Sequence, residues 1–361
     1  MTAERTILVT GAGGFLGGRI AESIYLSRFG KVRAGVRRWS SAARLCRFPI
    51  DVVMCDIMDA VRLAEPVDGA SAVVHCAYAG DKPSIIEGTR NMLEASLRAG
   101  VERFVYLSTA EVYGPHVEGD IIESQPYQYS GRDYSDGKID AEQLCLEYHA
   151  KGLPVTILRP SLIYGPLGQS WTVRVATRLQ SGNWGTFEEY GSGYCNLVYV
   201  DDLVSAIFSS IENPESAGEA FNINGPDVVT WNEYFQRFNQ QLGGPPLPVI
   251  SARSSRLKSV LRDGAQMVTS AAVDRFRGLV TRINQREGVG SAVIRHVKKA
   301  LHTTPSQREL DSLYSRRARY VTTKAEELLQ YSPRFDLDEG LRLSVLWLVH
   351  HSLVDPATNR N

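Results

Sequence analysis

Ile7-Leu8-Val9-Thr10-Gly11-Ala12-Gly13-Gly14-Phe15-Leu16-Gly17 is the stretch that decides the fold of this 361-residue chain. Ile7, Leu8 and Val9 read as a buried strand. The glycines read as a tight turn, and helical periodicity runs from Phe15 to about Phe29. Such a turn needs glycine for two reasons. Its backbone takes angles that other residues resist, and a side chain would keep a pyrophosphate from the amides at the helix N-terminus. Gly17 lets the helix pack closely on the sheet. Strand, glycine turn and helix in this order predict a dinucleotide-binding unit, whereas a glycine triplet alone is only a turn.

Outward from that turn, short apolar runs alternate with helical stretches. The runs are Val32 to Val36, Val52 to Met54, Ala72 to Val74, Phe104 to Leu107 and Val155 to Leu158. Strands apolar on both faces and separated by helices predict a doubly wound α/β fold, a Rossmann-type parallel sheet covered on both sides. After Pro160 the elements shorten. Helices are expected near Val173 to Gln180, Asp202 to Ser210, Asn232 to Leu242 and Leu337 to His350, with a strand at Ala220 to Ile223. The expected division is a nucleotide-binding domain over 1–165, with strands returning to it from about 195–225, and a mainly helical substrate region over 166–361. Within the latter, 251–319 carries more than a dozen Arg and Lys against five acidic residues. Its apolar positions (Leu257, Val260, Leu261; Val293, Val297, Leu301) fall at helical spacing. That segment reads either as solvated helices capping the substrate site or as a basic surface that docks on a membrane or another enzyme.

Composition narrows the class. Forty basic and forty acidic residues cancel, so no global field draws the chain to nucleic acid or anionic lipid. The five cysteines, Cys46, Cys55, Cys76, Cys145 and Cys195, form no C-x-x-C pair. Reduced thiols are expected rather than disulfides or a zinc site. The N-terminal residues lack a signal-peptide layout and no apolar run approaches the ~20 residues of a membrane span. A cytoplasmic enzyme with no metal is the expectation.

Two further stretches carry chemistry. Val32-Arg33-Ala34-Gly35-Val36-Arg37-Arg38 ends the second strand. An NAD site places a carboxylate there for the ribose 2′-hydroxyl; this chain has Val36, then Arg37 and Arg38, which suit a 2′-phosphate. NADP is therefore expected, with NAD as the alternative, and Asp56 is placed to meet the adenine edge. Tyr134-Ser135-Asp136-Gly137-Lys138 puts Tyr134 and Lys138 on one helix face. An ammonium one turn away is expected to favour the phenolate, so that Tyr134 moves a proton near neutral pH. Thr109, at the end of the fifth strand, offers a hydroxyl to the same reacting oxygen.

With these residues in place the chain resembles the extended short-chain dehydrogenase/reductases of the NAD(P)-dependent epimerase/dehydratase family. The resemblance covers roughly 5–245 and resumes near 321–348. Thr10 to Gly17 is similar to the family's T-G-x-x-G-F-x-G turn. Leu107-Ser108-Thr109-Ala110-Glu111-Val112-Tyr113-Gly114 resembles its strand-end segment, which makes Thr109 the triad hydroxyl beside Tyr134 and Lys138. Arg159-Pro160, Tyr164-Gly165-Pro166 and Val198-Tyr199-Val200-Asp201-Asp202 resemble the stretches that line nicotinamide and substrate. The resemblance implies cofactor contacts at Gly11, Gly13, Gly14, Phe15, Leu16, Gly17, Ile57, Ala77, Tyr134, Lys138 and Pro160. It implies substrate contacts at Glu111, Tyr164 and Asn196, and a homodimer through the helices around Ile85 to Ala99 and Asp133 to Lys151.

Two departures bear on the substrate. Sugar-nucleotide dehydratases carry Thr, then Asp or Ser, then Glu in this segment as acid and base for water loss; this chain has Ala110 in the middle position, so dehydration is disfavoured. Glu111 is then a base or a polar residue near the cleft. Sugar-nucleotide epimerases often have Arg-Asp just before the V-x-V stretch, and this chain has Cys195-Asn196. Either a cation such as Arg316 or Arg317 takes over, or the substrate lacks a diphosphate. The expected activity is hydride transfer at a sugar carbon of a nucleoside-diphosphate sugar, giving epimerisation or net redox. The alternatives are a ketone or aldehyde reductase on a non-nucleotide substrate and a non-catalytic dinucleotide sensor.

Overall fold

The computed structural model describes residues 5–78, 80–254, 259 and 305–354. The apolar runs form β1 (Thr6–Thr10), β2 (Lys31–Val36), β3 (Asp51–Met54), β4 (Ala72–His75) and β5 (Arg103–Leu107). Between them lie α1 (Phe15–Ser27), α2 (Ala64–Val67) and α3 (Lys82–Arg98). Then come β6 (Gly119–Ile121), α4 (Asp133–Ala150), β7 (Val155–Pro160) and β8 (Leu162–Tyr164). The later elements are α5 (Arg174–Gln180), β9 (Thr186–Phe187), β10 (Leu197–Tyr199), α6 (Val200–Glu212), β11 (Ala220–Ile223), α7 (Trp231–Gln241) and β12 (Val249–Ile250). They are followed by β13 (Ala318–Tyr320), α8 (Thr323–Leu329) and α9 (Leu337–His350).

The expected doubly wound sheet is present. Its parallel strands run in the order β11-β7-β5-β4-β1-β2-β3. Both faces are covered, which is why the strand sequences are apolar throughout rather than alternating. Ile7, Val9, Val105 and Leu158 join one core with α1 and α6, while Leu8, Val73, Phe104, Tyr106 and Ile157 join the other with α3 and α4. Chain order reverses between β1 and β4, and ligands of open α/β sheets bind at the carboxyl ends of the strands at such a switch point. Two short parallel pairs, β8 with β10 and β9 with β12, lie beyond the sequence reading. Strands of two or three residues are too short to show a period.

Contacts divide the chain into two compact units. The first comprises Met1–Tyr164, Asn196–Asp227 and Arg319–Leu337 and holds the main sheet. In it, Arg19 on α1 clamps Asp201 on α6 through two bonds of 2.5 and 2.7 Å. The second comprises Gly165–Cys195, Val228–Ala318 and Asp338–Asn361. Its core is aromatic, with Trp184, Phe187, Trp231, Phe235 and Tyr314 all buried. The Arg178 guanidinium lies 4.4 Å over Trp184 and pairs with Glu309 at 2.7 Å. A reciprocal cap of Thr230 and Glu233 starts α7. Most of the basic stretch expected to be helical, residues 255–258 and 260–304, lies outside the described residues.

Among the described residues, no helix is long and apolar enough to cross a membrane.

Candidate active site

The glycine turn has the backbone its sequence requires. Gly11 takes a φ of +66°, and a Cβ there would lie 3.0 Å from the Ala77 backbone. A Cβ on Gly17 would meet the Gly11 carbonyl oxygen at 2.4 Å, so α1 can start this close to β1 only with glycine. A third tight approach was not legible beforehand: a Cβ on Gly13 would strike the Ser41 side chain at 2.6 Å. The loop after β2 therefore closes over the turn.

Around this turn opens a cleft of about 540 Å³. Gly11, Gly13 and Gly14 line it with Val36, Arg37, Arg38, Asp56, Ile57 and Ala77, which brings together nine residues chosen from the sequence. Ser40, Ser41, Cys55, Cys76 and Tyr78 complete the lining and were missed, because loop closure rather than local pattern puts them there. Phe15, Leu16 and Gly17 follow on α1, and Pro160 is buried at the end of β7.

The four arginines that follow β2 fall into two pairs. Arg44 and Arg47 are taken up by Glu22, at 2.5 and 3.2 Å. Arg37 and Arg38 are exposed at the cleft and, among the described residues, meet no carboxylate. The shape and donors of this cleft fit a dinucleotide. The turn leaves room for a pyrophosphate, the start of α1 offers amides, and two guanidinium groups wait near the β2 end.

His75 pins the far wall of the cleft. It is fully buried at the end of β4, and its Nδ1 lies 2.9 Å from Thr10 Oγ1. That hydroxyl also accepts from the amides of Cys76 and Ala77, both at 3.2 Å. The Thr10 proton therefore goes to the ring, which acts as a neutral acceptor. Burial, with Lys138 nearby, pushes the imidazole down to about 3, so it stays neutral over the working range.

Tyr134 stands beside the cleft. Its ring packs edge-on to Tyr78, which lines the cleft, with centroids 5.6 Å apart. Thr109, extended at the end of β5, caps the short helix Ala110–Tyr113 and accepts the Glu111 amide at 3.2 Å. The Tyr134 phenol differs from expectation: it is pushed above the ordinary tyrosine value. Loss of water around its hydroxyl end is the largest cause, then the Glu111 charge and Tyr78, opposed by a hydrogen bond with Thr109. Lys138 was expected to lower it. Instead the Lys138 ammonium donates to the Leu107 carbonyl at 2.6 Å and lies 4.6 Å over the Tyr106 ring. Burial pushes that ammonium down to about 8. As the groups stand here, the Tyr134 hydroxyl keeps its proton.

Glu111 pairs with Arg132, just before α4, at 3.1 Å. Ala110, where an acid would serve dehydration, is 3% exposed. Of the expected substrate contacts, Tyr164 is buried against Tyr199. Asn196 is buried, with its side-chain oxygen 3.3 Å from the Tyr320 amide and 3.4 Å from Asn224. Arg316 belongs to the second unit, where its Nε donates to the Ser312 carbonyl at 3.2 Å.

Known proteins resemble this chain along most of its length. Residues 7–224 match the model of the family described as NAD dependent epimerase/dehydratase. The 2-alkyl-3-oxoalkanoate reductase of Stenotrophomonas maltophilia is 30% identical over 258 residues, 66% of this chain and 76% of its own. The UDP-glucose 4-epimerase of Vibrio cholerae is 26% identical over 245 residues, 63% of this chain and 73% of its own. In fold, dTDP-glucose 4,6-dehydratase (DesIV) of Streptomyces venezuelae, solved with NAD bound, superposes with a TM-score of 0.70 at 22% identity, over 98% of this chain and all of its own. The family match, the sheet order and the glycine-floored cleft agree: this chain belongs to the NAD-dependent epimerase/dehydratase family.

Proposed function

We propose that the chain is an NADP(H)-using oxidoreductase acting on a carbinol or carbonyl carbon of a nucleoside-diphosphate sugar, as epimerase or reductase rather than dehydratase. The observation that carries this is the Tyr78–Tyr134 contact, which sets a protonated phenol beside a cleft shaped for a dinucleotide. Arg37 and Arg38 hold the 2′-phosphate at the cleft rim. When bound, the nicotinamide gives or takes the hydride. Tyr134 donates the proton to the carbonyl oxygen on reduction and recovers it on oxidation, with Thr109 holding that oxygen in place. Lys138, fastened to the Leu107 carbonyl, keeps this turn of α4 against β5. Buried Ala110 offers no acid for loss of water, which supports the choice against dehydration. The same reading includes a homodimer through α3 and α4 and a cytoplasmic site of action.

A second reading has its own support. Asn196 is engaged in packing where an epimerase's diphosphate arginine is expected nearby, and one relative reduces oxoalkanoates by name. It makes the substrate a ketone without a nucleotide. Cofactor-coupled turnover with two panels, sugar nucleotides and 3-oxo acids or ketones, decides between them. Turnover only with a sugar nucleotide supports the first reading, and turnover only with a free ketone replaces it by the second. If Tyr134→Phe leaves turnover intact, the role given to Tyr134 is wrong. If no panel member turns over while NADPH binds, a sensor replaces both.

A further inference from the structure

Glu142 lies on α4 one turn beyond Lys138, so the two side chains leave the same helix face. It is fully buried, and a carboxylate survives there only with donors around it. Arg159 Nη2 reaches one oxygen at 2.6 Å and Arg159 Nε reaches both, at 3.0 and 3.1 Å. The Tyr127 hydroxyl donates at 2.9 Å, and the Ser108 hydroxyl donates to the other oxygen. Arg159, 3% exposed, has its remaining protons taken by the Tyr113 hydroxyl at 2.9 Å, the Glu123 carbonyl at 3.1 Å and the Tyr127 hydroxyl at 3.0 Å.

These partners connect the elements that carry the proposed chemistry. Ser108 precedes Thr109 at the end of β5, Arg159 precedes Pro160 on β7, and Glu142 shares α4 with Tyr134 and Lys138. With the Lys138 bond to the Leu107 carbonyl, α4 is fastened to the end of β5 at two successive turns. We propose that Glu142, seated on Arg159, is a positioning residue that sets the height of α4 against Thr109 and so seats Lys138 on the Leu107 carbonyl. Its consequence for turnover rests on the reading of Tyr134 and Lys138 given above; its effect on Lys138 does not.

The groups facing Lys138 come from three elements. His75 and Cys76 stand at the end of β4, the Tyr106 ring comes from β5, and Cys145 and Glu142 are on α4. Burial holds His75 neutral and pushes both thiols up, Cys76 to about 12. Tyr106 is likewise raised by burial. Burial draws Lys138 down to about 8, opposed by Cys76, then Cys145, then Glu142.

The test follows Lys138 itself by NMR of full-length protein carrying isotope-labelled lysine, with its resonance assigned by loss in Lys138→Arg. The wild-type midpoint is expected near 8. E142Q should lower it. E142D keeps the charge, so its midpoint stays near wild type while its shorter reach lowers kcat more than it changes KM. If E142Q does not fold, E142D, which keeps the carboxylate, carries the comparison of kcat against KM. A midpoint unchanged in E142Q, or a kcat unchanged in E142D, overturns the proposal. Full turnover in Lys138→Met would instead sink the catalytic reading and leave the midpoint result standing.

Discussion

Replacing Gly17 with alanine puts a methyl group 2.4 Å from the Gly11 carbonyl oxygen and 2.8 Å from its carbonyl carbon. Ordinary contact begins near 3.4 Å, and both neighbours are backbone, so the turn or the start of α1 must move by about 1 Å. Overpacking of this kind costs ~1–3 kcal/mol, against ~1 kcal/mol recovered by removing glycine from a helix. Stability should therefore fall by up to ~2 kcal/mol. The larger effect falls on the ligand. Moving the turn amides by that distance removes at least one charge-assisted hydrogen bond to a pyrophosphate, worth ~1.5–3 kcal/mol, or roughly 10- to 100-fold in affinity. Gly18→Ala is the control. Its nearest neighbour, at 3.0 Å, is the end of the Arg44 side chain, and the Ala12 carbonyl lies at 3.1 Å, so a few tenths of an ångström suffice. Urea unfolding and NADPH fluorescence titration of both variants make the comparison. If Gly17→Ala matches wild type in stability and NADPH affinity, the close-packed turn is not the cofactor's seat.

Other expectations follow from the same geometry. Substituting Arg37 and Arg38 together by alanine should weaken NADPH binding by roughly 10- to 100-fold and leave NADH unchanged; equal losses for both cofactors would remove the 2′-phosphate role. Tyr134→Phe should cut kcat by ~10²–10⁴ with NADPH affinity intact, as measured by single-turnover kinetics beside calorimetry. Lys138 binds its proton less tightly folded, near 8, than in the unfolded chain at 10.5. Its burial therefore destabilises the fold fully below pH 8 and less as pH rises towards 10.5. Lys138→Met should accordingly raise stability at pH 7 by about 1–2 kcal/mol, after subtracting the lost bond to Leu107. Denaturation at pH 7 and at pH 10 should show the gain only at the lower value. For His75, depressed from 6.5 to about 3, the contribution is fully present above pH 6.5 and is lost as pH falls towards 3. An acid titration of stability should show that loss, and His75→Gln should blunt it.

The strands were legible because a parallel sheet covered on both faces demands apolar residues at every position, as in Ile7-Leu8-Val9 and Val155 to Leu158. The turn was legible because Gly11 and Gly17 face backbone that tolerates no side chain. What escaped depended on rotamers and loop closure. Ser40 and Ser41 come to the cleft through the loop after β2, and Tyr78 through the chain after β4. Helical spacing placed Tyr134 and Lys138 on one face correctly but could not say that the ammonium turns to the Leu107 carbonyl, nor that Glu111 and loss of water raise the phenol. Glu142 had a visible signal, a carboxylate four residues beyond a lysine on the same helix face. Its partner Arg159, 17 positions later, could be found only from the packing of β7 against α4.

Calorimetric titration of the purified full-length chain with NADPH and, separately, NADH tests the central claim most directly. The account predicts that NADPH binds and that NADH binds at least roughly tenfold more weakly, the worth of one charge-assisted contact to the 2′-phosphate. Binding of neither cofactor would contradict it.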